Sequence, residues 1–175
     1  MAGRLPVRAL VAVAACVLAL GGCAGTSPAP VSPATSSLPA GVEAPVQRVV
    51  DGDTIRVAPH ERVRLIGIDT PESVKPGSPV ECFGKESSRH LESLLPRGTV
   101  VRLVGDVEQR DRYGRLLAYV YRASDGLFVN AAMVRDGFAQ PLTIPPNVAH
   151  AAELVELART AREGGRGLWS ACAPP

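Results

Sequence analysis

Three short runs rich in β-branched residues stand nearly end to end near the middle of this chain. "APVQRVV" (residues 44–50) and "DTIRVAP" (53–59) flank Asp51-Gly52, and "ERVRLIGID" (61–69) follows a Pro59-His60 break. Runs of this length, bounded by turn residues, form strands. Asp-Gly between two apolar runs is among the strongest hairpin signals, so the three runs predict an antiparallel meander. Such a meander has two faces and must curl or be covered, which restricts the chain to a barrel or a layered sheet.

The C-terminal half of the chain favours the barrel. "GKESSRHLESLL" (84–95) sets Leu91, Leu94 and Leu95 at helical spacing and stops at Pro96-Arg97-Gly98. "TVVRLVGDV" and "RLLAYVYR" return to strand character, joined by "EQRDRYG". Residues 128–136 and 148–163 read as two further helices, ended by Gly137 and Gly164-Gly165, with Asn147 as N-cap of the second. Three strands, a helix, two strands and two helices make an α+β chain: a five-stranded OB-fold barrel with three α-helices, spanning residues 42–173.

The residues before this domain have other tasks. Residues 1–23 combine Arg4 and Arg8, an uncharged stretch from Ala9 to Leu20, and Leu20-Gly21-Gly22-Cys23, the layout of a bacterial export signal. The apolar stretch is short for a bilayer core of about 30 Å, so a permanent membrane span is not expected. The ending resembles a lipobox in which Cys23 takes lipid, giving a cell-envelope lipoprotein; plain secretion is the alternative. Residues 24–41, rich in Pro, Ser, Thr and Ala and without charge, read as a linker spanning about 25 Å as a coil.

Export bears on charge and on cysteines. The chain has 19 Lys and Arg against 17 Asp and Glu, and loss of Arg4 and Arg8 with the leader leaves 17 of each. A neutral protein cannot hold a polyanion by net charge, so any such partner needs a local patch. With Cys16 removed and Cys23 lipidated, Cys82 and Cys172 remain as one pair in an oxidising compartment, where a disulfide is expected over two reduced thiols.

Two carboxylate motifs end strands. Asp51-Gly52-Asp53-Thr54 is by itself a turn, and Asp69-Thr70-Pro71-Glu72 by itself a strand exit set by proline. Together they say more. Asp53 opens the second strand and Asp69 closes the third, so antiparallel pairing makes them neighbours able to face one hard divalent cation such as calcium, whose oxygen ligands lie at about 2.3 to 2.6 Å. Arg64, inside an apolar strand, is costly to bury without an anion; its simpler reading is a structural pair, and that of Arg115, after "DRYG", an exposed strand start. A cation, two guanidiniums and the Glu72 carboxylate around one cleft suit phosphodiester hydrolysis, with Glu72 orienting or deprotonating water. Strict alternation sets Arg64 and Asp69 on opposite faces, so they converge only through a twist or bulge, for which Gly67 is the place.

"VVDGDTIRV", "VRLIGIDTPE", "FGKESSRHL" and "DRYGRLLAYVY", in this order, resemble the staphylococcal-nuclease-like (thermonuclease) family over about residues 43–170, including Gly167-Leu168-Trp169. The resemblance implies an OB-fold barrel with three helices and a monomeric, calcium-dependent endonuclease on DNA and RNA, preferring single-stranded or locally open substrate and leaving 3'-phosphate and 5'-hydroxyl ends. It implies that Asp53 and Asp69 bind calcium by side chain and Thr70 by its backbone carbonyl, with Asp51 behind them. Glu72 would be the general base, Arg64 and Arg115 would stabilise phosphoryl charge, and Tyr113 and Arg112 would lie against the nucleotide. The chain departs from the family in having no tyrosine in "PLTIPP" (141–146) and in its neutral balance.

Two other classes fit less well. A non-catalytic OB-fold lipoprotein that only binds nucleic acid or protein has no use for the full carboxylate and arginine set. A zinc or redox enzyme is disfavoured because His60, His90 and His150 are widely spaced and there is no Cys-x-x-Cys.

Overall fold

The computed structural model describes residues 40–73 and 80–172. The leader, Cys23 and nearly all of the linker lie outside the described residues. Strands β1 (Val42–Val49), β2 (Thr54–Val57), β3 (Glu61–Leu65), β5 (Val100–Val104) and β6 (Leu116–Arg122) close a barrel in the order β1-β2-β3-β6-β5. All pairs are antiparallel except β3 with β6. The expected OB-fold barrel is thus formed, with α1 (Gly84–Leu94) inserted between the meander and β5.

The period-two pattern explains the core. Val46, Ile55, Val57, Val63, Leu65, Val101 and Val120 point inward and are essentially solvent-free, while on β6 the alternates Tyr119 and Tyr121 are buried as well, in a second cluster with Ile66 on the other face. Leu91 of α1, Met133 of α2 (Val129–Arg135) and Leu154 of α3 (Ala151–Glu163) seal the same core.

Three details differ from the sequence reading. "ERVRLIGID" is not one strand: Ile66-Gly67 form a turn, and Ile68–Asp69 become a short β4 paired with β7 (Gln140–Pro141). A fourth helix, α4 (Leu168–Ala171), follows Gly165 and Gly167, whose positive φ values reverse the chain and let Leu168 re-enter the core. Asn147 does not cap α3; it is buried, its Oδ1 accepting from the Glu108 N–H and its Nδ2 donating to the Glu108 carbonyl, both at 2.8 Å. A buried amide with both ends satisfied by one backbone unit outcompetes an exposed cap.

The corner at Ile66-Gly67 is held from inside. Asn130 of α2 donates to the Ile66 carbonyl at 2.8 Å and accepts the Val120 N–H at 2.9 Å, joining the end of β3 to β6. The Cys82–Cys172 disulfide is formed and ties the start of α1 to the end of α4.

Candidate active site

The β2–β3 register sets Thr54 opposite Arg64, which brings the Asp51-Gly52-Asp53 turn against the end of β3. The turn is closed by the Val50 N–H donating to the Thr54 carbonyl at 2.8 Å and the Asp53 N–H donating to Asp51 Oδ1 at 3.1 Å. Gly52 is required there, since a Cβ would stand 2.6 Å from Thr70 Oγ1. The two motifs therefore pack directly on each other.

Asp53 is the buried centre. Its Oδ2 accepts from the Thr70 N–H and hydroxyl, each at 3.1 Å, and lies 3.1 Å from Arg64 Nη1, while its Oδ1 accepts from the Thr54 hydroxyl. Both Thr70 contacts use donors; its carbonyl is not part of them. Arg64 Nη2 reaches Asp69 Oδ1 at 2.9 Å, so the residues that alternation separates do meet. The Gly67 turn, at φ +81°, resets the parity between them, and α3 packs so closely that a Cβ at Gly67 would lie 2.6 Å from Leu154 Cδ1.

Asp51, Asp53, Asp69 and Glu72 line one cavity of about 210 Å³ with Arg64, Arg115 and Thr70. The carboxylates outnumber the guanidiniums, and their proton affinities respond. Burial and then the Asp53 charge push Asp51 up to about 6. Asp69 is raised by burial and by Asp53, against the pull of Arg64. Crowded carboxylates with only oxygen donors suit a hard cation, which would remove their mutual repulsion. Among the described residues no three His, Cys, Asp or Glu side chains stand close enough together to hold a metal ion by themselves; Arg64 bridges Asp53 and Asp69 instead.

The other members come from loops. Glu72 is held by its backbone: its N–H donates to Glu81 Oε2 at 3.0 Å, and the Glu81 N–H donates to the Glu72 carbonyl at 2.9 Å. Arg115 is held by Asp111, through its Nε at 2.7 Å and its backbone N–H at 2.9 Å, and its Nη1 stands 3.5 Å from Thr54 Oγ1. Burial raises Asp111, but the Arg115 side chain and the N–H groups of Arg115 and Tyr113 outweigh it and hold the carboxyl below its ordinary range. Tyr113 is 68% exposed, with the Arg112 guanidinium 4.8 Å from its ring centre. Both border a second cavity of about 490 Å³ that shares Arg64 and Arg115 with the first.

Residues 62–171 match the family model described as "Staphylococcal nuclease homologue". The chain belongs to the staphylococcal nuclease family. It is similar to a thermonuclease of Staphylococcus intermedius, at 40% identity over 127 residues covering 71% of this chain and 74% of the relative. A thermonuclease of Staphylococcus hyicus is 37% identical over 132 residues, with the same coverage. The SPbeta prophage-derived endonuclease YokF of Bacillus subtilis (strain 168) is 34% identical over 133 residues, 74% of this chain and 44% of the relative.

In this nuclease-family chain, the segment without tyrosines contributes Leu142 and Ile144 to the larger cavity, facing Tyr113 with aliphatic walls. Three residues escaped the sequence reading: Asp111, Thr54 and Glu81. For Asp111 a signal existed, because Asp-x-x-Gly before a strand is an Asx-type turn whose carboxylate accepts from the following N–H groups. Glu81 had none, as its partner is nine residues away in the chain.

Proposed function

We propose that this protein is an exported, calcium-dependent endonuclease that hydrolyses phosphodiester bonds in DNA and RNA, leaving 3'-phosphate and 5'-hydroxyl ends. The observation that supports it most is the convergence of Asp53, Asp69, Glu72, Arg64 and Arg115 on one small polar cavity. The names of the relatives, thermonuclease and endonuclease, agree with it.

Asp53, Asp69 and the Thr70 carbonyl are the groups that would hold calcium, with Asp51 behind them. Bound there, the ion supplies positive charge against the charge that grows on the phosphoryl oxygens. Glu72 accepts a proton from water as that water attacks phosphorus; the bond from phosphorus to the 5'-oxygen breaks, the phosphate stays on the 3'-oxygen, and the departing 5'-oxygen takes a proton from solvent water to become the hydroxyl. Arg64, set by Asp53 and Asp69, and Arg115, set by Asp111, donate to the non-bridging oxygens from preset positions, which is where guanidinium forks help most. The leader makes the enzyme extracytoplasmic, with a lipid on Cys23 as its anchor, and a single chain suffices for the site.

The test is cleavage of single-stranded and duplex DNA by the purified protein, with calcium and then with excess chelator. Cutting should require calcium, and Glu72→Gln should slow it by about 10² to 10⁴, with Arg115→Ala slowing it as well. A folded protein that binds nucleic acid but cuts nothing at low salt with calcium present is a binding module, and the proposal fails.

A further inference from the structure

A neutral protein that acts on a polyanion needs a local patch, and the outer face of the barrel has one next to the carboxylate cavity. In the β1–β2 register Arg48 pairs with Arg56, and in the β2–β3 register Arg56 pairs with Arg62. Three arginines therefore form one row across adjacent strands. The row depends on an irregularity in β1: the register shifts between Val46 and Arg48, so that Arg48 stands beside outward-facing Arg56 rather than inward-facing Ile55.

The guanidiniums of this row have no carboxylate partners among the described residues, while several of their neighbours do. Around them Arg102 pairs with Glu43, Arg110 with Glu61 and Arg115 with Asp111. Among the described residues, neither Arg48, Arg56 nor Arg62 forms an ion pair, and the buried Arg56 Nε has no hydrogen-bond partner. Like charges directly opposite on a sheet repel. Three adjacent guanidiniums without acidic partners are complementary to an anion that is not part of the chain.

Its position selects the anion. Arg62 and Arg64 lie two apart on β3, with buried Val63 between them, so both face outward. At about 3.3 Å per residue, the row is about 7 Å along the sheet from the Thr54–Arg64 rung that borders the cavity. Extending the parallel β3–β6 register one step beyond Val63 and Leu116 brings Arg115 alongside Arg62. The row thus runs into the guanidiniums assigned to the scissile phosphate.

We infer that Arg48, Arg56 and Arg62 form a secondary binding site for the nucleic-acid backbone, holding phosphates of the substrate strand beyond the one being cleaved. The contact is with phosphate alone and so is independent of base sequence. The site rests on the nuclease reading for its choice of polyanion, but it can be tested without turnover.

The experiment is fluorescence anisotropy of the purified protein in excess chelator, with a labelled single-stranded oligonucleotide of about 20 nucleotides and with a dinucleotide, across about 50 to about 200 mM salt. The triple variant Arg48→Gln, Arg56→Gln, Arg62→Gln should bind the long strand about tenfold more weakly. Its slope of log affinity against log salt should be shallower by about 2, since each single-strand phosphate contact contributes about 0.7. Dinucleotide binding should change less than twofold, and the matching triple lysine variant should retain most of the long-strand affinity. Unchanged long-strand affinity and slope would overturn the site. So would equal losses on both probes, which would mean a disturbed cavity. Loss of binding to phosphatidylglycerol vesicles with the oligonucleotide unaffected would make the row a membrane contact instead. If the wild type fails to cut while the length-dependent loss appears, the nuclease reading falls and the binding site stands.

Discussion

Arg115 reaches the cavity because Asp111 fixes it through both its guanidinium and its backbone N–H. The Asp111 carboxyl is depressed, so the sign of its linkage is definite: its stabilisation is present above its unfolded value of about 4 and is lost as pH falls through the lower folded value. Asp111→Asn should cost about 1 to 2 kcal/mol at neutral pH, with the difference from wild type closing below about pH 4 in urea unfolding. The same change should lower cleavage by untethering Arg115. Glu81 acts on Glu72 in a comparable way, its carboxylate accepting from the Glu72 N–H and its own N–H donating to the Glu72 carbonyl. Glu81→Ala should reduce kcat by about 10- to 100-fold with little change in KM, because it displaces the base without removing it; an unaltered kcat would show that the clamp does not position Glu72. The residue types of the site were legible in the sequence as carboxylates and arginines at strand ends. Their holders were not, since Asp111 and Glu81 look like ordinary surface acids until the loops are placed.

At the scale of elements, the corner between β3 and β4 decides the site. Gly67 adopts a backbone conformation that other residues rarely take, and it is overlaid by Leu154. Gly67→Ala should destabilise the protein by about 1 to 3 kcal/mol and weaken activity together with stability, measurable by denaturant titration beside an activity assay. The Cys82–Cys172 disulfide closes a long loop between α1 and α4. Removing it by a paired Ser substitution should cost about 2 to 5 kcal/mol in the same titration. Strand and helix positions were readable from period and turn residues, because each of these elements is long enough to show a period or a β-branched run between turn residues. Helix α4 and strands β4 and β7 were not, because such short elements have too few residues to establish a period and exist only through their packing partners.

For the molecule as a whole, charge balance is the governing quantity. With 17 cationic and 17 anionic side chains beyond residue 23, long-range steering is weak and binding depends on short-range guanidinium contacts. Raising salt from about 50 to about 200 mM should therefore raise KM steeply while leaving kcat on saturating substrate nearly constant. A KM indifferent to salt would exclude a patch of any kind. The barrel makes this arrangement possible: closing five strands points every second residue outward, so arginines on β1, β2 and β3 share a face with the rim where Asp53 and Asp69 meet.

The barrel, the order of its parts, the cysteine pair and the carboxylates and arginines at its strand ends were all readable from the chain, because these depend on local period, turn chemistry and residue type. Tertiary contacts alone set the bridge from Arg64 to Asp53 and Asp69, the hold of Asp111 on Arg115 and of Glu81 on Glu72, and the single row of Arg48, Arg56 and Arg62. Those are consequences of register. A one-residue shift in β1, or a left-handed glycine at position 67, reverses which face a side chain takes; Gly67 could be named beforehand because glycine and the Arg64–Asp69 parity point to it, whereas the β1 shift leaves no mark in composition or spacing.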